Sequence, residues 1–397
     1  MIVKPADRTG NVQEYYFSQK LAQIDKMRRD GSDVINLGIG SPDQPPSGNT
    51  ISALIDEANK PSSHGYQSYS GIPALRKAFS DWYGKYFDVA LNPENEILLL
   101  IGSKEGIMHI SMAYVNPGDE VLIPDPGYPT YSSVTNLVGG IARKYNLNEE
   151  NGWLPDLKAL EKSDLSKVKL MWINYPNMPT GARGSVDIFE KLVAFCLKHK
   201  ILLCNDNPYS FIMNNSYNSL LAVEGSKEIA LELNSLSKSH NMAGWRVGMV
   251  AGHSDYIKTI LKVKSNMDSG MFLAMQKAAI EALNNPESWY GLINSVYIKR
   301  RRIVEEIMEL LNCKYDKSQV GLFVWGRIPD DIKECEPWVE ELLTKALVFI
   351  TPGFIFGKNG DRYIRISLCA TEEKLNEAKK RISTFLSNKL LYNNQSK

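Results

Sequence analysis

The sequence predicts an α/β fold, with a mostly parallel central sheet in a large domain and a smaller α+β domain beside it. Three observations carry this expectation. Between about residues 70 and 255, short apolar runs alternate with segments of helical period, the pattern of strands joined by crossover helices. Beyond about residue 286 the pattern changes to long helices framing two isolated strands. At 397 residues, 43% hydrophobic and 23% charged, the chain has the length and composition for two ordinary globular cores.

The elements follow in order. Residues 1–44 show a helical pattern and then an apolar run at 34–39, and are expected to pack with the C-terminal part. Pro73 suits the first turn of a helix whose apolar stripe holds Leu75, Phe79, Trp82, Tyr83 and Tyr86. Strands are expected at 97–101, 121–123, 169–173, 201–204, 229–236 and 247–251, with helices at 106–115, 130–138 and 186–199. In the last helix Ile188, Leu192, Val193 and Cys196 share one stripe. A long helix at about 288–311 leads to a strand at 322–325 and a helix at 337–346. A strand at 363–368 then precedes a final helix at 372–386, which Thr371 can N-cap. The division that results is 45–285 for the large domain, and 1–44 with 286–397 for the small one.

Bulk properties exclude several functions. A formal net charge of +1 argues against nucleic acid or an acidic membrane surface as the main partner. The one dense basic run, Lys299-Arg300-Arg301-Arg302, falls in a helical pattern and reads as a solvated face. Five scattered cysteines without a Cys-x-x-Cys suit reduced thiols in a cytoplasmic protein. The five histidines lack ligand spacing, so no metal site is expected. No signal peptide, membrane-length apolar run or internal repeat is found, and the polar tail at 392–397 is expected to fray.

The chemistry concentrates where strands end, which in open α/β sheets is where ligands bind. Lys238 ends an apolar run, where partial desolvation makes its amine a usable nucleophile toward a carbonyl. Ser235, Ser237 and Arg246 beside it can hold a phosphate dianion. An imine-forming lysine next to a phosphate site describes a pyridoxal phosphate (PLP) pocket. Gly102-Ser103-Lys104 follows the first strand and opens a helix, so its amides can receive phosphate. Pro124-Asp125-Pro126-Gly127-Tyr128-Pro129 offers a ring to stack on a planar ligand. Asn174-Tyr175-Pro176-Asn177-Met178-Pro179-Thr180-Gly181 and Asp206-Asn207-Pro208-Tyr209 follow two further strands. Each cluster alone also reads as a polar turn or a helix cap. Five at five strand ends supply together what PLP chemistry needs.

These residues resemble fold-type I, class I/II PLP-dependent aminotransferases, with the aspartate aminotransferase-like fold, over nearly the whole chain. The resemblance implies that Lys238 carries PLP as an imine and shuttles a proton between the substrate Cα and the cofactor. It implies that Asp206 pairs with the ring nitrogen, Tyr209 donates to the ring oxygen and Tyr128 stacks on the ring. Ser103, Lys104, Ser235, Ser237 and Arg246 would bind phosphate. Arg365, in Tyr363-Ile364-Arg365-Ile366-Ser367, would grip the substrate α-carboxylate, and Gly40 would approach it through its backbone. Tyr66 resembles the tyrosine that reaches the phosphate of a neighbouring subunit, which implies a homodimer with shared active sites.

Three segments are similar to LL-diaminopimelate aminotransferases: 101–107, 266–272, and Asp7-Arg8 with Glu14-Tyr15-Tyr16-Phe17. The implied reaction passes an amino group between glutamate and tetrahydrodipicolinate, in lysine and cell-wall biosynthesis. Tyr15, Lys104, Asn266 and Ser269 would then lie near the distal end of the substrate. Aminotransferases for aspartate, alanine or aromatic amino acids share most of these residues, as do PLP-dependent lyases and decarboxylases.

One departure stands out. The family has asparagine before Pro-Thr-Gly, donating to the ring oxygen, whereas this chain has Met178. A thioether cannot donate, so Tyr209 stands alone there and the imine pKa should rise. Asn177 points the other way in an extended segment and is not expected to substitute. Met178 is the one feature that favours a degenerate PLP-binding protein, and no DNA-binding extension favours a regulator.

Overall fold

The computed structural model describes residues 2–10 and 16–395. Its centre is a seven-stranded sheet built from β1 (Ile97–Leu100), β2 (Glu120–Asp125), β3 (Ile141–Asn146), β4 (Val168–Ile173), β5 (Leu202–Asp206), β6 (Ala230–Ser235) and β7 (Gly248–Gly252), in the order β1-β7-β6-β5-β4-β2-β3. The pairs from β6 to β3 are parallel, and β7 runs antiparallel to both β6 and β1. The six expected strands are all present. The inner ones are almost wholly buried, and mostly apolar, because helices cover both faces. Leu170, Trp172, Cys204, Leu231 and Leu233 face one layer of core, and Met171, Ile173, Leu203 and Met249 face the other.

Strand β3 is an addition to the expected set. It lies at the sheet edge, and of its residues only Tyr145 is buried. Its charges, Arg143 and Lys144, suit an exposed edge and erase the apolar run by which a strand is recognised. Helices at Gly48–Ala58, Ser254–Lys264 and Leu273–Leu283 also went beyond the sequence reading.

The second unit is smaller. Phe323–Arg327 and Tyr363–Ser367 pair antiparallel at the centre of a four-stranded sheet, flanked by Lys314–Tyr315 and Thr351–Pro352. The helices Ser288–Leu310 and Glu372–Gln395 pack on each other beside it. Thr371 Oγ1 accepts the Lys374 N–H, as an N-cap should. The short strand Ile35–Asn36 pairs parallel with Val348–Phe349, which joins the N-terminal segment to the C-terminal part.

The basic run corrects the sequence reading. Arg300 and Arg301 are buried, not solvated. Arg300 grips both oxygens of Asp43, at 2.7 and 2.8 Å. Arg301 pairs with Glu305 at 2.9 Å and donates to the carbonyls of Lys317 and Gln319. A run of like charge shows nothing of partners that lie far along the chain. Here those partners hold the guanidinium groups inside the fold.

Candidate active site

A cavity of about 330 Å³ opens at the carboxyl ends of the central strands and is lined on its other side by Phe17, Gly38, Gly40, Phe323, Phe356 and Arg365. Lys238 lies in its wall, in the single turn Leu236–Ser239 that follows β6. Its Nζ donates to the Gly40 carbonyl at 2.5 Å. Burial holds its pKa below the ordinary lysine value, helped by the Arg365 and Arg246 charges and opposed by Cys369 and Asp206.

Asp206 ends β5 and is 5% exposed. Tyr131 Oη donates to its Oδ2 at 3.2 Å, while Oδ1 is buried with no hydrogen-bond partner among the described residues. Burial pushes its pKa up to about 6, against the partial offset of the Tyr131 and Ser103 hydroxyls and the Lys238 charge. A buried carboxylate oxygen that makes no hydrogen bond can take a donor, and Asp206 lines the cavity.

The anion cup forms around Gly102, the N-cap of the Ser103–Tyr114 helix. Ser235 Oγ and Ser237 Oγ lie 2.8 Å apart, and Arg246 Nη1 reaches Ser237 Oγ at 3.5 Å. Gly102 has φ +79°, and a Cβ there would meet Arg246 Nη2 at 2.2 Å. Glycine is what lets the guanidinium lie against the helix N-terminus. Helix dipole, hydroxyls and Arg246 together fit a phosphate dianion.

Arg365 projects from Tyr363–Ser367 into the other end of the cavity. Its guanidinium sits over Phe323 at 3.8 Å and near Phe356 at 4.7 Å and Phe17 at 5.5 Å. Nη2 donates to the Gly38 carbonyl at 2.7 Å, and Nη1 meets Met178 Sδ at 3.1 Å. Aromatic faces hold the planar guanidinium in place. Met178 is buried, 7% exposed, and lines the cavity beside this guanidinium.

The neighbouring amides are committed elsewhere. Asn177 closes its own turn: Oδ1 accepts from Thr180 and Nδ2 donates to the Asn174 carbonyl. Asn174 Oδ1 accepts the Met178 N–H at 2.8 Å, and its Nδ2 donates to the Asp206 carbonyl.

Residues 32–382 match the aminotransferase class I and II family. The chain belongs to that family. Curated relatives of this aminotransferase include the LL-diaminopimelate aminotransferases of Natranaerobius thermophilus, 42% identical over 97% of this chain and 100% of that one, and of Halothermothrix orenii, 41% identical over 95% and 97%. Among solved structures, the apo form of BacF from Bacillus subtilis superposes with a TM-score of 0.92 at 34% identity, covering 97% of this chain and 98% of that one. A probable N-succinyldiaminopimelate aminotransferase from Thermus thermophilus superposes with a TM-score of 0.87 at 32% identity, covering 93% and 99%.

The aminotransferase brings together Lys238, Asp206, Tyr209, Tyr128, Ser103, Lys104, Ser235, Ser237, Arg246, Met178, Gly40 and Arg365 around the one cavity. It keeps Tyr66, Asn266 and Ser269 out of it. All three are exposed, Tyr66 at 93%, and their segments adjoin: the Gly270 backbone packs on the carbonyls of Gln67 and Ser68, and the rings of His64 and Phe272 stack at 5.7 Å. Tyr15 lies outside the described residues. Sequence reasoning missed Tyr131, which holds Asp206, and Phe17 and Phe356, which flank Arg365. Tyr131 had a signal: it stands one helical turn beyond Tyr128.

Proposed function

We propose that this aminotransferase holds PLP on Lys238 and transfers the amino group of glutamate to tetrahydrodipicolinate, giving LL-diaminopimelate and 2-oxoglutarate. The observation that carries the reading is Asp206 Oδ1, buried, unpartnered and sharing one cavity with Lys238 and Arg365. That oxygen fits a ring N–H, and the Gly102 cradle fits the phosphate. The substrate follows from the name that relatives about 40% identical carry along nearly their whole length.

Bound PLP would supply a carbonyl that takes up the amine and a ring that accepts the electron pair left at the substrate Cα. The chain's own residues then have distinct tasks. Lys238, its ammonium made less favourable by burial, takes and returns the Cα proton. Asp206, as its carboxylate, would pair with a protonated ring nitrogen and hold the proton there by its charge. Tyr209 lies buried in the cavity wall and offers its hydroxyl to the ring oxygen, and Tyr128 covers a ring face. Ser103, Lys104, Ser235, Ser237 and Arg246 take the phosphate. Arg365 binds the α-carboxylate as a fork and orients Cα, while Phe17, Phe323 and Phe356 exclude water around it. Lys104, at the exposed rim, meets the distal group of the substrate.

We place Tyr66, Asn266 and Ser269 in the site of a second copy. Their shared exposed face also carries Met267, Phe272 and Tyr69, as a homodimer surface would. The domain division follows, with 45–285 holding the cofactor and 1–44 with 286–397 closing over it. Five free buried cysteines suit the cytoplasm.

The test is a half-reaction screen. The PLP-loaded protein is mixed with LL-diaminopimelate, glutamate, aspartate, alanine or phenylalanine, and loss of the cofactor's absorbance band is followed. Conversion by LL-diaminopimelate and glutamate at higher kcat/KM than by the others is expected. Faster conversion by phenylalanine or alanine would replace the substrate assignment.

A further inference from the structure

Behind the cofactor cavity, on the opposite face of the central sheet, a carboxylate is sealed from water. Side chains alternate along a strand, so Asp206 and Ser235 face the cavity while Asn205, Glu232 and Asn234 point away from it. Glu232 is 0% exposed and sits directly across from Asn205 in the β5–β6 pairing. Its Oε2 accepts from Asn205 Nδ2 and from the Leu220 N–H, both at 2.9 Å. Its Oε1 accepts from Ser219 Oγ at 2.8 Å, Tyr83 Oη at 3.0 Å and Asn207 Nδ2 at 3.4 Å.

Five donors from distant stretches of chain meet on one acid. An apolar side chain of the same shape would cost less to bury than a carboxylate, so stability alone is a poor reason for the acid. What its bonds connect is more telling. Asn207 begins, and Ser219 and Leu220 end, the loop that carries Tyr209. Asn205 adjoins Asp206, and its Oδ1 accepts the Tyr175 N–H at 3.1 Å, at the head of the segment leading to Met178. One carboxylate therefore closes the Tyr209 loop and fastens it to the strand end that presents Asp206.

We infer that Glu232 is a positioning residue for the cofactor ring, setting the places of Asp206 and Tyr209 from behind the sheet without touching the cavity. The inference rests on the PLP site proposed above. Glu232→Gln keeps the volume and cuts one tie. Its amide oxygen can still accept from Asn205 and Leu220, and the hydroxyls of Tyr83 and Ser219 can turn to accept from its N–H groups. The Asn207 amide cannot, since N–H would face N–H. Adding Asn207→Asp supplies an acceptor there while keeping the oxygen that Ser210 Oγ bonds at 2.5 Å.

The holoenzyme is measured for kcat, KM and the pH midpoint of the cofactor's absorbance. In Glu232→Gln, kcat falls about ten-fold with KM within roughly three-fold, and the midpoint rises by about half a pH unit or more as both ring partners are misplaced. Glu232→Gln/Asn207→Asp returns kcat to within about two-fold of wild type and restores the midpoint. Asn207→Ala removes the same tie from its other end, together with the bonds to Ser210 and Asn218, and gives at least the same two changes, should the glutamine variant fail to fold. A lower urea midpoint with unchanged absorbance and kcat, or a loss that Asn207→Asp does not rescue, would overturn the inference. A wild type that takes up no PLP would overturn the cofactor reading itself, and with it this one.

Discussion

Asp206 stores a cost that only a ligand removes. Its pKa stands at about 6 in the fold against an ordinary 3.8, raised by burial. The folded chain thus holds that proton more tightly than the unfolded chain does. The stability it contributes is present in full below about pH 4 and is lost as pH rises through 6. Asp206→Asn should therefore stabilise the cofactor-free protein at pH 7 by about 1–3 kcal/mol, with no gain near pH 4, read from urea midpoints at the two pH values. The same variant should bind PLP at least about ten-fold more weakly, since an amide cannot match a ring N–H⁺ with charge. Equal stability at both pH values would remove the argument. Met178 is the second residue of consequence. Its sulfur meets Arg365 in the cavity wall, where Asn174 and Asn177 are already committed to other bonds. Met178→Asn restores a donor, and the pH midpoint of the cofactor's absorbance should fall by about one unit, the worth of one hydrogen bond to a charged oxygen. An unchanged midpoint would make Met178 simple filler.

At the scale of elements, the legible strands were those whose ends carry chemistry. Inner strands are buried on both faces, so β4, β5 and β6 announce themselves as apolar runs, and the polar residues just past them stand out by contrast. The edge strand β3 gave no such contrast, because Arg143 and Lys144 serve the edge rather than the core. Tyr131 and Phe17 were hidden for another reason. Each lies on an amphipathic helix, where an aromatic residue toward a cavity looks the same as one toward core. Arg300 and Arg301 were misread because what buries them, Asp43 for the one and the carbonyls of Lys317 and Gln319 for the other, lies outside the basic run and its helix. The helix that opens at Gly102 offers a direct test of element placement. Gly102→Ala forces a Cβ into the Arg246 fork at φ +79° and should lower PLP affinity by about ten-fold or more, at a stability cost of about 1–3 kcal/mol. Gly118→Ala, at φ +89° with no atom within 4 Å, carries the same kind of backbone strain and no cup. It should lose stability and keep its affinity for PLP, as measured by equilibrium dialysis. Equal affinity in the two variants would mean that the Gly102 cradle does not hold the phosphate.

Across the whole molecule, residues 36–43 form the seam where the two ends of the chain meet the cavity. The Leu37 carbonyl accepts the Ser367 N–H, the Gly38 carbonyl accepts from Arg365, and the Gly40 carbonyl accepts from Lys238. Asp43 anchors the far end of the seam to buried Arg300 on the Ser288–Leu310 helix. Burial opposes ionisation of Asp43, yet the Arg300 guanidinium holds its carboxyl below the ordinary carboxylate value. A lowered folded-state pKa gives stability that is present above the unfolded value and fades as pH falls through the lowered one. Asp43→Asn should accordingly destabilise the protein at pH 7 by about 1–3 kcal/mol, less than for a sealed pair because Asp43 remains partly exposed. The difference from wild type should close as pH falls through the lowered value. Because the seam also supplies the carbonyls that meet Lys238 and Arg365, loosening it should raise KM for the amino donor several-fold while kcat changes less. Asp43→Asn with wild-type KM and a lowered urea midpoint would confine the Asp43–Arg300 pair to stability and leave the cavity to be placed by the central sheet alone.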